Sequence, residues 1–109
     1  MKAEFDHIAI RTKGVAASIE FYKRNFDGVE VLYEDATWGL LKVGGMKIAL
    51  VTQGEHPPHI SFRVDTKEEL EEYSAKMKGK IKVHRDRSES FYFKDDSDNA
   101  VEIVWYPEG

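Results

Sequence analysis

The chain has no cysteine at all. This excludes disulfides, thiolate metal ligands and cysteine nucleophiles, so any bound metal must be held by nitrogen and oxygen donors. The absence also suits a reducing cytoplasm, the expected location. No apolar run approaches the roughly 20 residues that a membrane-spanning helix needs, and the opening residues carry no signal-peptide core, so a soluble protein is expected. No Lys/Arg cluster is dense enough to track a phosphate backbone, and the net charge is −4. Nucleic acid is therefore excluded as a partner. A disordered composition is absent too: 41% of the 109 residues are hydrophobic, with aromatics spread along the chain, enough to build one compact domain over residues 1–109.

What is present is organised in two similar halves. "EFDHIAIR" alternates in the manner of a strand, and "GVAASIEFYKRNF" follows with Val15, Ile19, Tyr22 and Phe26 at helical spacing. Gly28 is placed to end that helix, and "VEVLYE", "WGLLKV" and "MKIALV" read as three strands. After Pro57-Pro58 the order repeats. "HISFRV" is a strand, Thr66 to Glu69 is a capping box, and Leu70, Tyr73 and Met77 form a helical stripe that Gly79 is placed to end. "KIKVHR", "SFYFK" and "AVEIVWY" complete the second half, with Asp95 to Asn99 as a polar turn in which Asp98 or Asn99 must accept a left-handed conformation.

The two βαβββ units superpose in detail. Ile19, Tyr22, Phe26 and Gly28 recur 51 residues later as Leu70, Tyr73, Met77 and Gly79; His7-Ile8 recurs at an offset of 52 as His59-Ile60. At 53, Ile48-Ala49-Leu50-Val51 meets Val101-Glu102-Ile103-Val104. An internal duplication accounts for this, with modules of about 1–53 and 57–109 and an α+β fold.

Alternation then sorts the polar residues. Ile8 and Ile10 oppose His7 and Ala9; Ile60, Phe62 and Val64 oppose His59, Ser61 and Arg63; Val101, Ile103 and Trp105 oppose Glu102, Val104 and Tyr106. With the apolar sets under the helices, His7, His59 and Glu102 share the other face. Two imidazoles and one carboxylate make a ligand set that leaves coordination positions open, suited to one divalent ion: Fe(II), Mn(II), Zn(II), Ni(II) or Co(II). His56, in the loop "GEHPPH", and His84, in a polar strand, are expected to be solvated.

These residues carry a resemblance to the vicinal oxygen chelate superfamily, which includes glyoxalases, extradiol dioxygenases and bleomycin- and fosfomycin-resistance proteins. It is carried by "FDHIAI", "ASIEFYKRNFDGVEVL", "PHISFRVD" and "FYFKDDSDNAVEIVWY" and spans essentially the whole chain. The resemblance implies an open, cup-shaped mixed sheet with the helices outside and the metal inside, bound by His7, His59 and Glu102. The position that is a glutamate in glyoxalase I, or a glutamine in the methylmalonyl-CoA epimerases, is Ala49 here, and an alanine cannot bind metal. That departure leaves a three-ligand pattern resembling the dioxygenases and fosfomycin-resistance enzymes. The expected function is a metal-dependent dioxygenase or lyase acting on a small molecule chelated through adjacent oxygens. The alternatives are a non-catalytic binding protein of the bleomycin-resistance type, a glyoxalase I-like lyase, or a regulatory domain with vestigial histidines. Arg63, Tyr106 and Tyr92, with His84 behind them, are the candidate catalytic groups, and Trp38, Ala49, Ser61, Arg63 and Tyr106 the candidate substrate-binding ones. Edge strands and exposed apolar surface make a homodimer the expected state, which light scattering would reveal.

Overall fold

The computed structural model describes residues 2–52, 54 and 57–107; His56 lies outside the described residues. The fold is α+β, with two helices and a mixed eight-stranded sheet among the described residues. In chain order the elements are β1 (Glu4–Arg11), α1 (Val15–Asn25), β2 (Glu30–Glu34), β3 (Trp38–Val43), β4 (Met46–Val51), β5 (His59–Val64), α2 (Lys67–Met77), β6 (Lys82–Val83), β7 (Glu89–Lys94) and β8 (Ala100–Trp105). The contacts define two compact units, His7–His59 and Met1–Asp6 with Ile60–Gly109.

In the unit His7–His59, β1 runs parallel to β4, and β2, β3 and β4 form an antiparallel meander. Helix α1 covers one face. Its Val15 and Ile19 pack on Leu41 and Leu50, flanked by Ile10, Tyr22 and Ile48. The other face carries a separate apolar patch of Ala9, Ala49 and Val51, on which Trp38 and Leu40 lie. The helix is shorter than its apolar stripe: it ends at Asn25, and its C-cap Phe26 is already extended at φ −131°. Phe26 is left 50% exposed. Gly28, expected to end the helix, instead takes φ +72° in the turn that follows.

In the other unit β5 runs parallel to β8, which pairs with β7, and β7 with β6. Helix α2 opens on the expected capping box: Thr66 Oγ1 accepts from the Glu69 amide, while the Glu69 carboxylate accepts from the Thr66 amide. Its Leu70 enters a core of Val64, Phe91 and Ile103, with Phe62, Tyr73, Phe93 and Trp105 packed around it. The capping residue at the far end is Lys78, left-handed at φ 57° and ψ 36°, rather than Gly79. A side chain there costs about 1 kcal/mol relative to glycine. Lys78→Gly is therefore expected to raise stability by up to about 1 kcal/mol in urea unfolding, and a loss of stability would contradict the assignment. Asp98 takes the left-handed position expected in the last hairpin, at φ 71°, beside an Asp95 carboxylate that accepts from the amides of Ser97 and Asn99.

The pairing registers of the units match. Ile8 faces Ile48 and Ala9 faces Ala49 across β1 and β4; Ile60 faces Val101 and Ser61 faces Glu102 across β5 and β8. These pairs are related by the same offsets, 52 and 53, that relate the two halves of the sequence. Leu40 opposite Ala49 corresponds likewise to Tyr92 opposite Glu102. Ala49 is thus the structural counterpart of Glu102.

Candidate metal centre

His7 and His59 meet within one unit, their ring centroids 5.5 Å apart and their planes at 75°. His59 is 7% exposed. Its Nδ1 lies 2.7 Å from the carbonyl oxygen of Pro57. A carbonyl can only accept, so Nδ1 carries a proton, and in a neutral ring the lone pair then falls on Nε2. This is the arrangement in which a ligating histidine is usually held, with one nitrogen tied to the backbone and the other presented to a metal.

In the other unit Glu102 is buried, 6% exposed, in the middle of β8. A buried carboxylate needs hydrogen bonds. Ser61 Oγ donates to Glu102 Oε1 at 2.7 Å from the neighbouring strand β5, and Tyr92, directly across from Glu102 on β7, hydrogen-bonds it too. Burial, and then the charge of Glu102, hold the Tyr92 hydroxyl well above the usual phenol range, so it remains a donor at any physiological pH. Ser61 is itself completely buried, so its hydroxyl serves Glu102.

Arg63 and Tyr106 form a second group in that unit. Tyr106 donates to Asp6 Oδ2 at 2.8 Å, and Arg63 approaches Asp6 at 3.7 Å and Glu4 at 3.6 Å while donating to the Phe5 carbonyl oxygen at 3.3 Å. Asp6 is buried at 6% exposure and was missed by sequence reasoning, because strict alternation would set it on the same side as Ile8. Instead Phe5 packs edge-on against Phe62 at 6.3 Å, on the helix side, and Asp6 turns to Arg63 and Tyr106. Burial, and then the Asp6 charge, push the Tyr106 hydroxyl up, keeping it protonated.

His84 follows β6, shorter than the expected "KIKVHR" strand, with its Nε2 2.6 Å from Ser90 Oγ, so it is bonded rather than simply solvated. Trp38 stacks on Tyr33 at 4.5 Å, and Asp35 fixes both: its carboxylate accepts from the Tyr33 hydroxyl and from the Trp38 amide. Ala49, 4% exposed, lies in the apolar patch beside Ala9. No donor is offered at the position equivalent to Glu102.

A sequence profile of the Glyoxalase/Bleomycin resistance protein/Dioxygenase superfamily matches residues 4–103. The chain belongs to this superfamily. No curated protein matches it in sequence. Among solved structures, the chain resembles methylmalonyl-CoA epimerase from Mycobacterium tuberculosis at 15% identity, with a TM-score of 0.74 over 96% of this chain and 89% of that one. A substrate complex of homoprotocatechuate 2,3-dioxygenase from Brevibacterium fuscum gives 17% identity and a TM-score of 0.73, over 94% of this chain and 36% of the dioxygenase. The chain thus spans about a third of that enzyme. At these identities the likeness establishes the superfamily fold. Among the described residues no helix is long and apolar enough to cross a membrane.

Proposed function

We propose that this superfamily member is a divalent-metal-dependent enzyme acting on a small molecule held through two adjacent oxygens, with His7, His59 and Glu102 as the metal ligands. The observation that carries the reading is the donor set itself: His7 and His59 meet in one unit, with His59 tied to the Pro57 carbonyl, and the other unit offers the buried Glu102 carboxylate, braced by Ser61. The donor chemistry fits: two imidazoles and one carboxylate suit a divalent first-row ion and leave positions for substrate. The metal would supply Lewis acidity to paired substrate oxygens.

The chain's own residues have separable tasks. Pro57 sets the tautomer of His59. Ser61 and Tyr92 orient the Glu102 carboxylate and keep it from rotating away. Tyr106 and Arg63, held by Asp6, are placed as a positioning group rather than as a free acid, since a phenol raised in this way gives up its proton reluctantly. Ala49 favours a three-ligand site over one with a fourth protein ligand, which weighs against glyoxalase I-like and epimerase-like chemistry and toward the three-ligand dioxygenase pattern.

Titration with Co(II), followed by its visible absorption, tests the reading. One ion should bind per chain, and a protein that binds no Co(II), Mn(II), Fe(II), Ni(II) or Zn(II) would overturn it. Ser61→Ala should bind the ion roughly 10–100-fold more weakly, because the carboxylate loses a supporting donor while every ligand remains. Unchanged affinity would mean that Tyr92 alone suffices.

A further inference from the structure

Two lysines occupy the histidine-bearing face of the unit His7–His59. Ala9 and Ala49 are register partners in one apolar patch, on the face away from α1. His7 and Lys47 each precede that pair by two residues, on neighbouring strands, so both project from this face. Strand spacing is about 5 Å, which puts Lys47 next to His7. Lys42 lies directly across from Lys47 on β3, in the ladder that also pairs Leu40 with Ala49 on this face.

Like charges set opposite each other across a ladder repel, and such a pair is disfavoured unless something negative lies between. Neither lysine has an ion-pair or hydrogen-bond partner among the described residues. The other residues of this face on β1, β3 and β4 are His7, Ala9, Arg11, Trp38, Leu40, Ala49 and Val51, none of them a carboxylate; on β2 Glu30 stands across from Lys42 but makes no ion pair with it. Lys47 is half-buried and Lys42 exposed, so both remain accessible to a ligand on this face.

We infer that Lys42 and Lys47 bind an anionic group of the substrate, making the substrate class a small oxygen-chelating molecule that also carries a negative charge. The inference rests on the metal-site reading above for the position of the chelated oxygens. Lysine suits the role as a mobile point charge, able to meet an oxyanion without the planar match that arginine requires.

The test compares two probes with the same paired oxygens, catechol and 3,4-dihydroxybenzoate, by calorimetric titration into the Co(II)-loaded and the metal-free protein. The carboxylated probe should bind roughly tenfold more tightly, and in the double variant Lys42→Ala/Lys47→Ala that preference should fall to about twofold or less. Co(II) affinity and the Co(II) spectrum should stay unchanged in the variant. Equal affinity for the two probes, or a preference that survives the double substitution, overturns the inference while leaving the metal reading intact. If no Co(II) binds, the metal reading has failed separately. The metal-free titration then decides: a lysine-dependent preference for the carboxylated probe supports the anion site, and its absence overturns it.

Discussion

Replacing His59 with alanine should weaken Co(II) binding by well over the roughly 10–100-fold that a lost supporting contact costs, because a ligand is removed rather than misaligned. His7→Ala should behave in the same way. Glu102→Gln is the more diagnostic change, since it preserves the size of a buried side chain and leaves an oxygen to accept from Ser61, yet removes the anionic donor. Saturating metal should protect the wild type against thermal unfolding, by about 2.7 kcal/mol at a hundredfold excess over the dissociation constant, and protect none of the three variants comparably. Far-UV circular dichroism of the metal-free proteins separates loss of metal from loss of fold. If all three variants bound Co(II) as the wild type does, His7, His59 and Glu102 would not be the ligands.

The largest effect on stability is expected at Gly79. A Cβ added there would lie 2.2 Å from Phe91 Cδ2 and 2.9 Å from both Cγ and Cε2 of the same ring. Phe91 has nowhere to go: it is 1% exposed and wedged among Val64, Leu70 and Ile103. Gly79→Ala therefore forces either the ring from its rotamer or the end of α2 from the sheet, at about 3 kcal/mol. For a domain of this size that lowers the melting temperature by roughly 12 °C or more. The cause is overpacking and not backbone freedom, since the left-handed position belongs to Lys78. A second substitution distinguishes the two accounts: Phe91→Leu should recover part of the loss in the Gly79→Ala background while costing stability by itself. A Gly79→Ala protein within about 0.5 kcal/mol of wild type would show that α2 and β7 can part without penalty.

Local patterns carried much of the fold. Period-2 alternation marked His7 and His59 as residues away from the helix side, and the capping box at Thr66 and Glu69 announced α2 because all its atoms lie within four residues of chain. The repeat offsets anticipated the strand registers, down to Ala49 taking the place of Glu102, because a duplicated pattern of inward and outward side chains allows each unit a single register. Helix ends were less legible. Gly28 and Gly79 both have the look of stop signals, but α1 stops where Phe26 turns extended, and α2 stops on Lys78, while Gly79 makes room for the Phe91 ring.

The sequence by itself determined which residues can be ligands and which face of each strand they occupy, since composition and alternation are properties of neighbours along the chain. Only the tertiary structure decided who holds them. Ser61 reaches Glu102 across 41 residues and Tyr106 reaches Asp6 across 100, and a bend in alternation at the start of β1 brings Asp6 to its partners. The facing pair Lys42 and Lys47 likewise arises from a ladder register and carries no composition signal. Buried polar atoms must be satisfied by whatever the packed chain places within hydrogen-bond reach, and that distance is set by strand pairing, which no local pattern encodes.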